Sequence, residues 1–176
     1  MYIPMQLLKE AFIRRKVMIF VTLGSQKFQF NRLLKEIDRL IETGIIKEEV
    51  FAQIGYSDYT PRNFKFKKFL ERQEFISTMN SCDKVITHGG TGAIVGALKQ
   101  NKKVIAVARL AKYGEHVDNH QLQLMKQFDN MNLICSCEDC DQLEEAVKNI
   151  DNMNFNEYIS NTNTIINSLI EFIEEI

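Results

Sequence analysis

Short apolar runs alternate along this chain with segments in which apolar residues recur every three or four positions. The short runs predict buried β-strands at Met18–Leu23, Val50–Ile54, Phe64–Leu70, Lys84–Thr87, Lys103–Ala108 and Asn132–Cys135. The periodic segments predict helices at Phe30–Ile41, Glu71–Cys82, Ala93–Gln100, Asn119–Phe128, Asp139–Ile150 and Asn156–Glu175. This alternation predicts an α/β fold, a Rossmann-like three-layer sandwich whose mostly parallel sheet is covered by helices on both faces.

The pattern divides the chain into three parts. Residues 18–150 form the predicted domain, and residues 151–176 carry the last helix, a candidate docking face for a partner. Packing of that helix on its own sheet is the alternative. Residues 1–17 are a basic, mildly amphipathic extension, in which the charges follow the apolar residues rather than precede them as in a signal peptide. This extension either lies on a membrane surface or reflects an upstream start, because Met18 opens the first strand; we favour the second hypothesis.

Composition fits one globular domain. The chain has 176 residues, of which 45% are hydrophobic, and it contains only 2 Pro, 8 Gly and 4 Cys. These values exclude collagen-like, disordered and disulfide-scaffold proteins. The apolar runs are shorter than the roughly 20 residues that a membrane-spanning helix needs.

Charge is distributed unevenly along the chain. Residues 1–112 hold 20 Lys and Arg against 10 Asp and Glu, whereas residues 113–176 hold 2 against 13. The basic part suits a phosphate-bearing ligand or an anionic membrane surface, although two differently solvated faces would give the same counts. The acidic part argues against general nucleic-acid binding, which needs a continuous basic stripe.

A glycine-rich turn follows the fourth predicted strand. It comprises His88, Gly89, Gly90, Thr91 and Gly92. Glycines let backbone N–H groups approach a ligand closely, and the dipole of the helix that follows favours an anion such as a diphosphate. His88 adds a donor of adjustable charge and Thr91 a hydroxyl. A tight turn with nothing bound is the simpler alternative, and the sequence contains neither a dinucleotide fingerprint nor a P-loop.

Polar residues also follow the first strand, where Gly24, Ser25 and Gln26 open another turn. Ser25 either caps the next helix or donates to a phosphate. Because ligands of such sheets bind at the carboxyl ends of the strands, this turn and the glycine-rich turn could converge on one diphosphate.

A third polar segment follows the fifth strand. Its side chains suit sugar hydroxyls, which take directional hydrogen bonds, better than a metal ion; they are Arg109, His116, Asp118, Asn119, His120 and Gln121. Cys135, Cys137 and Cys140 lack a fourth ligand nearby and are interpreted as reduced thiols, with Cys140 somewhat reactive near a helix start.

These motifs together resemble the C-terminal, donor-binding domain of family 28 glycosyltransferases. The matching segments run from Met18 to about Ile150 and read VTLGSQKFQF, QIGY, VITHGGTGAI, KKVIAVAR and EHVDNHQ. The resemblance is strongest to the stand-alone subunit of two-component bacterial exopolysaccharide and capsule galactosyltransferases. The eukaryotic dolichol-linked GlcNAc transferase is divided in a similar way.

The resemblance implies half of a GT-B fold and assigns roles to residues. His88, Gly89, Gly90, Thr91 and Gly92 would hold the diphosphate of the nucleotide, with the turn at residues 24–26 nearby. Asn119, His120 and Gln121 would face the donor sugar. Many relatives carry a ribose-binding Glu on the helix after the glycine-rich turn, where this chain has Gly96.

The resemblance also implies an inverting hexosyltransferase that uses a UDP-sugar, with galactose as the expected sugar, and needs no obligatory metal or other cofactor. A membrane-associated subunit would bind the polyprenyl-diphosphate-linked acceptor and supply the base, and would hold this chain at the cytoplasmic face of the membrane. In isolation the chain could self-associate through the surface meant for that partner. The alternatives are a non-catalytic subunit that stabilises its partner and a self-sufficient enzyme such as an epimerase, which the absence of a second domain disfavours.

Overall fold

The structure is a computed structural model that describes residues 17–160. The strands are β1 (Met18–Thr22), β2 (Glu49–Gln53), β3 (Lys65–Lys67), β4 (Lys84–His88), β5 (Lys103–Val107) and β6 (Cys135–Cys137). The α-helices are α1 (Asn31–Glu42), α2 (Arg72–Ser81), α3 (Thr91–Leu98), α4 (His120–Asn130) and α5 (Leu143–Asn149). Single 3₁₀ turns cover Ala111–Tyr113, Cys140–Gln142 and Ile150–Asn152.

The six strands form one parallel sheet in the order β3-β2-β1-β4-β5-β6. The chain moves outward from β1 to β3, returns to place β4 on the other side of β1, and then moves outward again. Strand order therefore reverses between β1 and β4, which is where ligands of open α/β sheets bind.

Helices cover both faces of the sheet and give two apolar cores. One core joins α1 and α5 to the sheet through residues such as Leu33, Ile37 and Leu143. The other joins α2, α3 and α4 to the opposite face through Met79, Ile94 and Met125. The predicted three-layer α/β sandwich is confirmed, and every strand pair is parallel. No helix within residues 17–160 is long and apolar enough to cross a membrane.

Two predicted strands have different bounds in the structure. The sixth was expected at Asn132–Cys135, but Asn132 has a φ of 52° in the turn that leaves α4, and pairing with β5 begins only at Cys135. The third is limited to Lys65–Lys67, because beyond it the backbone N–H of Leu70 donates to the side chain of Gln53 instead of to a strand.

The helices predicted at Asp139–Ile150 and Asn156–Glu175 also need correction. The first opens with a 3₁₀ turn, in which the Asp139 carboxylate accepts from the Cys140 N–H, and becomes α-helical at Leu143. The last does not begin at Asn156, because residues 153–160 are not helical. The Asn156 backbone N–H donates to the Asn132 carbonyl and its side chain to the Met131 carbonyl, which holds this segment against the turn after α4. The remainder of that predicted helix and residues 1–16 lie outside the described residues.

Candidate functional site

The predicted turns meet at the carboxyl edge of the sheet, where β1 and β4 are neighbours. The turn after β1 begins at Gly24 and the glycine-rich turn begins at His88, so the point where strand order reverses brings residues 64 positions apart into contact. The two parts of the chain that were expected to converge are therefore adjacent.

His88 lies at the centre of this edge and is buried, with 7% of its surface exposed. A Cβ atom on Gly24 would stand 2.6 Å from its Cε1, and a Cβ atom on Gly90 would meet the same ring from the other side. The backbone N–H of Gly90 donates to the His88 carbonyl at 2.7 Å, which closes the turn over the ring. Glycines at both positions are what allow the imidazole to lie between the two turns.

Burial makes His88 a neutral residue. Loss of solvation, together with the positive charge of Arg109, lowers the pKa of His88 to about 4. At neutral pH the imidazole therefore acts as a neutral hydrogen-bonding group rather than as a cation. This sharpens the sequence-based view of His88 as a donor of adjustable charge.

Arg109 is the largest side chain that is fully buried in the described residues, with 1% exposed. Its Nη2 donates to the Leu23 carbonyl at 2.7 Å, and its Cζ lies 5.6 Å from the centre of the Phe30 ring. Within residues 17–160 its Nε and Nη1 atoms have no hydrogen-bond partner. Burial lowers the pKa of Arg109 to about 10, so the guanidinium stays charged at neutral pH. Its unpaired N–H groups remain available as hydrogen-bond donors.

The N-terminus of α3 is open beside this buried pair. Gly90 occupies the cap position and provides no side-chain cap, and both Thr91 and Gly92 are exposed. The first N–H groups of a helix have no partner within the helix, and the helix dipole places partial positive charge there. The geometry therefore suits an anion, and binding of a diphosphate by this turn stays a prediction.

Gly89 allows α4 to pack closely against the glycine-rich turn. A Cβ atom at this position would stand 2.5 Å from the Met125 Sδ and 2.9 Å from the Gln121 Cβ, so glycine is what lets α4 approach the turn. Around Gly92 and Gly96 no atom lies within 4 Å of an added Cβ. The sequence pattern does not distinguish the glycines of the turn, whereas in the structure Gly89 is packed against α4 and Gly92 is open.

The segment Asn119–Gln121 is divided among different environments. The buried Gln121 side chain accepts from the Arg109 backbone N–H at 3.2 Å, and the Asn119 side chain accepts from the Ala111 N–H at 3.0 Å. These two residues brace the loop after β5. His120 is exposed, and its ring nitrogen lies 3.2 Å from the Gln123 side-chain oxygen. Of the three side chains, that of His120 is the one left accessible to a ligand.

The neighbouring residues His116 and Asp118 pair with each other at 3.1 Å, and the His116 ring packs against Phe28 with centroids 5.3 Å apart. Within residues 17–160 no group of three or more His, Cys, Asp or Glu residues is placed to hold a metal ion.

Ser25 and Gln26 are exposed at the start of the turn after β1. Ser25 does not cap α1, because that helix begins only at Asn31. The backbone N–H of Phe30 donates instead to the Ser57 hydroxyl, and that of Asn31 to the Gln29 side chain. The capping alternative for Ser25 is therefore wrong.

A partly buried ion pair beside the site could not be expected from the sequence. Arg32 of α1 donates through two nitrogens to the Glu115 carboxylate at 3.1 and 2.9 Å, and it also pairs with Asp139. Glu115 is only 1% exposed and accepts as well from the Leu110 N–H. The pair ties α1 to the loop that carries Arg109. Arg32 and Glu115 are 83 positions apart, so no local pattern could have indicated their contact.

Cys140 is less reactive than expected from its position. Burial raises the pKa of its thiol to about 12, so little thiolate forms at neutral pH. All four cysteines are free thiols, which agrees with the interpretation of Cys135, Cys137 and Cys140 from the sequence.

Comparison with known proteins gives a family match over most of the chain. The model of the glycosyltransferase family 28 C-terminal domain matches residues 18–176. The chain belongs to this family. Among curated relatives, the UDP-N-acetylglucosamine transferase subunit ALG13 of Candida albicans is 33% identical over 89 residues, which are 51% of this chain and 29% of that protein. The chain thus spans under a third of that relative's length.

Solved structures show the same fold. An NMR solution structure of ALG13 superposes with a TM-score of 0.57 at 18% identity, covering 90% of this chain and 96% of that one. A crystal structure of the glycotransferase of kitacinnamycin gives 0.58 at 17% identity, covering 76% of this chain and 34% of the larger protein. The family 28 domain described here is therefore one Rossmann-like half of a GT-B fold, as predicted.

Proposed function

We propose that this chain is the donor-binding subunit of a two-subunit glycosyltransferase and that it binds a UDP-sugar at the carboxyl edge of the sheet. The observation that carries the proposal is the open N-terminus of α3 beside the buried pair of His88 and Arg109. A diphosphate would complement the free N–H groups and the helix dipole. Membership of family 28 supports the assignment to glycosyl transfer.

Catalysis by this subunit would consist of positioning the donor and stabilising the departing diphosphate. The N–H groups of Thr91 and Gly92 would hold its oxygens, and the neutral His88 ring would donate a hydrogen bond. The guanidinium of Arg109, with its two unpaired nitrogens, would add positive charge on the buried side of the diphosphate. The turn at Gly24, Ser25 and Gln26 would close over the same group, and His120 would face the sugar. A base from the partner subunit would complete an inverting transfer.

The identity of the sugar is part of the proposal. The resemblance to two-component exopolysaccharide and capsule enzymes predicts galactose, whereas the name of the Candida albicans relative points to N-acetylglucosamine. We favour a UDP-linked hexose or N-acetylhexosamine. Initial rates with UDP-galactose, UDP-glucose and UDP-N-acetylglucosamine would distinguish the candidates.

The partner would be a membrane-associated subunit that binds a polyprenyl-diphosphate-linked saccharide. This chain would act in the cytoplasm, at the inner face of the membrane. Capsule or exopolysaccharide synthesis is the process that the sequence resemblance suggests, and polysaccharide production in cells lacking the chain would test it.

Calorimetric titration with UDP, in the presence of EDTA and of the partner subunit, tests the central claim. We expect heat of binding that is lost in Gly92→Ala, because the added methyl group blocks approach of the diphosphate without meeting another protein atom. Lys99→Ala is the control, because this exposed residue lies at the opposite end of the same helix from the proposed diphosphate site. Absence of binding at millimolar UDP would refute the proposal.

A non-catalytic role is the second candidate, and Gly96 favours it. This exposed position on α3 offers no carboxylate for the ribose hydroxyls that many relatives bind there. His88→Ala discriminates: transfer that survives with the complex intact would make the subunit structural, whereas transfer that is lost supports donor binding.

A further inference from the structure

The free edge of the sheet combines exposed aromatic rings with basic side chains. β3 is the outermost strand on one side, and the chain around it is rich in both residue types. We call this surface the basic–aromatic edge and define it by Tyr56, Arg62, Lys65, Lys68, Phe69 and Arg72, all of which are exposed.

Two aromatic rings project at the carboxyl end of β2 and β3. Tyr56 is 47% exposed and Phe69 46%, and their ring centroids lie 5.3 Å apart at an interplanar angle of 70°. The backbone beneath them is fixed, because the Gly55 N–H donates to the Lys68 carbonyl at 2.9 Å. Two large rings held half in water form a small apolar projection, of the kind found at membrane interfaces.

Three basic side chains of this edge have no ion pair within residues 17–160, namely Lys65, Lys68 and Arg72. Lys67 beside them pairs with Glu74 at 2.6 Å. Arg72 is the first residue of α2, where the helix dipole disfavours a cation. The nearby carboxylates of Asp58, Glu71 and Glu74 leave the edge with a positive excess. A cation placed against the dipole and left unpaired suggests an external anionic partner.

The edge adjoins the candidate site. A Cβ atom on Gly55 would stand 3.0 Å from the Gly24 carbonyl oxygen, so the turn that carries Tyr56 touches the turn after β1. If the proposed function is correct, the acceptor is anchored in a membrane, and a surface bound there would keep the donor site close to it. This step rests on the proposed function, whereas the composition of the edge does not.

We propose that the basic–aromatic edge binds directly to the surface of an anionic lipid bilayer. Lys65, Lys68 and Arg72 would lie against lipid phosphates, while Tyr56 and Phe69 would enter the headgroup region. Nucleic acid fits this surface less well, because Asp58, Glu71 and Glu74 lie among the basic residues and the edge lacks the continuous basic stripe that nucleic-acid binding needs. The contact would be additional to any attachment through a partner subunit.

Flotation of the full chain with lipid vesicles tests the proposal. We expect binding to phosphatidylcholine vesicles that contain phosphatidylglycerol, no binding to phosphatidylcholine alone, and release by high salt. The triple substitution Lys65→Gln, Lys68→Gln and Arg72→Gln should lower the partition coefficient on the order of 100-fold, since each basic residue near such a surface contributes roughly a fivefold factor. Tyr56→Ser with Phe69→Ser should weaken binding without removing its salt dependence.

The matched control removes the same charge elsewhere, through Lys47→Gln, Lys99→Gln and Lys126→Gln at exposed positions. An equal loss in this control would show that net charge alone acts and would overturn the proposal. So would equal binding to both vesicle types, or preferential binding of a single-stranded oligonucleotide. Circular dichroism would confirm the fold of each variant. UDP titration of the triple variant separates the two proposals. If this variant keeps its affinity for UDP but no form of the chain binds vesicles, the membrane contact is refuted and the proposed function is not.

Discussion

The Cε1 atom of His88 lies 2.6 Å from the point where a Cβ atom on Gly24 would stand. Any side chain at residue 24 would therefore occupy space that the imidazole holds. Gly24 also has a φ of 71°, which side-chain-bearing residues rarely adopt. Glycine is thus required here for two independent reasons, and the turn after β1 forms one unit with the His88 ring.

Gly24→Ala should displace His88 and lower the affinity for UDP about tenfold or more, because one lost charge-assisted hydrogen bond is worth roughly 1.5–3 kcal/mol. Calorimetry measures the affinity and urea denaturation the stability. Gly44→Ala is the matched control, since Gly44 has a φ of 73° but no atom within 4 Å of an added Cβ. It should show only the backbone strain, about 1 kcal/mol. Identical behaviour of the two variants would contradict this account of Gly24.

Substitution by alanine should have different effects at Gly89 and at Gly92. Gly89→Ala should destabilise the fold by roughly 1–3 kcal/mol, because the methyl group would strike Met125 and Gln121. Gly92→Ala should leave the free energy of unfolding unchanged or slightly higher, since alanine favours a helix. Its effect should appear in UDP binding alone. Comparing urea midpoints with calorimetric affinities would separate packing from ligand contact, and a loss of stability in Gly92→Ala would contradict the open N-terminus seen at α3.

The strands around the site could be predicted because they are buried on both faces, so that each appears as a continuous apolar run. β1, β4 and β5 each begin at the predicted residue and end within one residue of the predicted end. Their parallel arrangement follows from alternation with helices. The convergence of Gly24 and His88 could be expected for the same reason, because carboxyl ends of neighbouring parallel strands meet at one edge.

What the sequence could not indicate depends on contacts between distant positions. Nothing local separates the packing role of Gly89 from the exposure of Gly92, because that difference comes from Met125 of α4. The turn into β6 was missed because Leu133 and Ile134 are apolar and buried without being in a strand. Burial and strand pairing produce the same apolar pattern, and only the backbone distinguishes them.

The protonation of His88 should depend on Arg109. The folded-state pKa of His88 is about 4 and its ordinary value 6.5, so the unfolded chain binds a proton first as the pH falls. The neutral ring therefore contributes stability that is complete above pH 6.5 and is lost as the pH falls toward 4, amounting to about 3 kcal/mol. Arg109→Met removes a neighbouring positive charge and should raise the pKa of His88, while burial keeps it below 6.5.

NMR titration of the His88 ring measures this shift directly. Lys99→Met removes a cation from an exposed position on the far end of α3 and serves as the control, with no expected change. An unchanged pKa in Arg109→Met would show that burial alone sets the protonation state of His88.

The Arg32–Glu115 pair should stabilise the fold through its buried carboxylate. Glu115→Gln removes the charge that two Arg32 nitrogens contact, and we expect the free energy of unfolding to fall by roughly 2–3 kcal/mol, less than for a fully buried pair because Arg32 is 21% exposed. Glu144→Gln is the matched control: this carboxylate pairs with Arg39 and Lys148, but its side chain is 33% exposed and that of Arg39 is 46% exposed, so little change is expected. Urea denaturation provides the comparison, and equal effects would contradict the importance of burial.

Alanine substitutions of two neighbouring residues at the start of α4 should distinguish support of the loop after β5 from contact with the ligand. Gln121→Ala removes the acceptor for the Arg109 N–H and leaves that buried donor unpaired, which should cost about 1–3 kcal/mol of stability. His120→Ala changes an exposed ring, so the urea midpoint should stay constant while the KM for the UDP-sugar rises or kcat falls. Gln121 supports the loop that carries Arg109. Glycosyl transfer by Gln121→Ala should therefore fall together with the free energy of unfolding. If His120→Ala left transfer unchanged, the sugar-facing role proposed for this residue would be wrong, whereas a constant urea midpoint in Gln121→Ala would show that the Arg109 loop is held by other contacts.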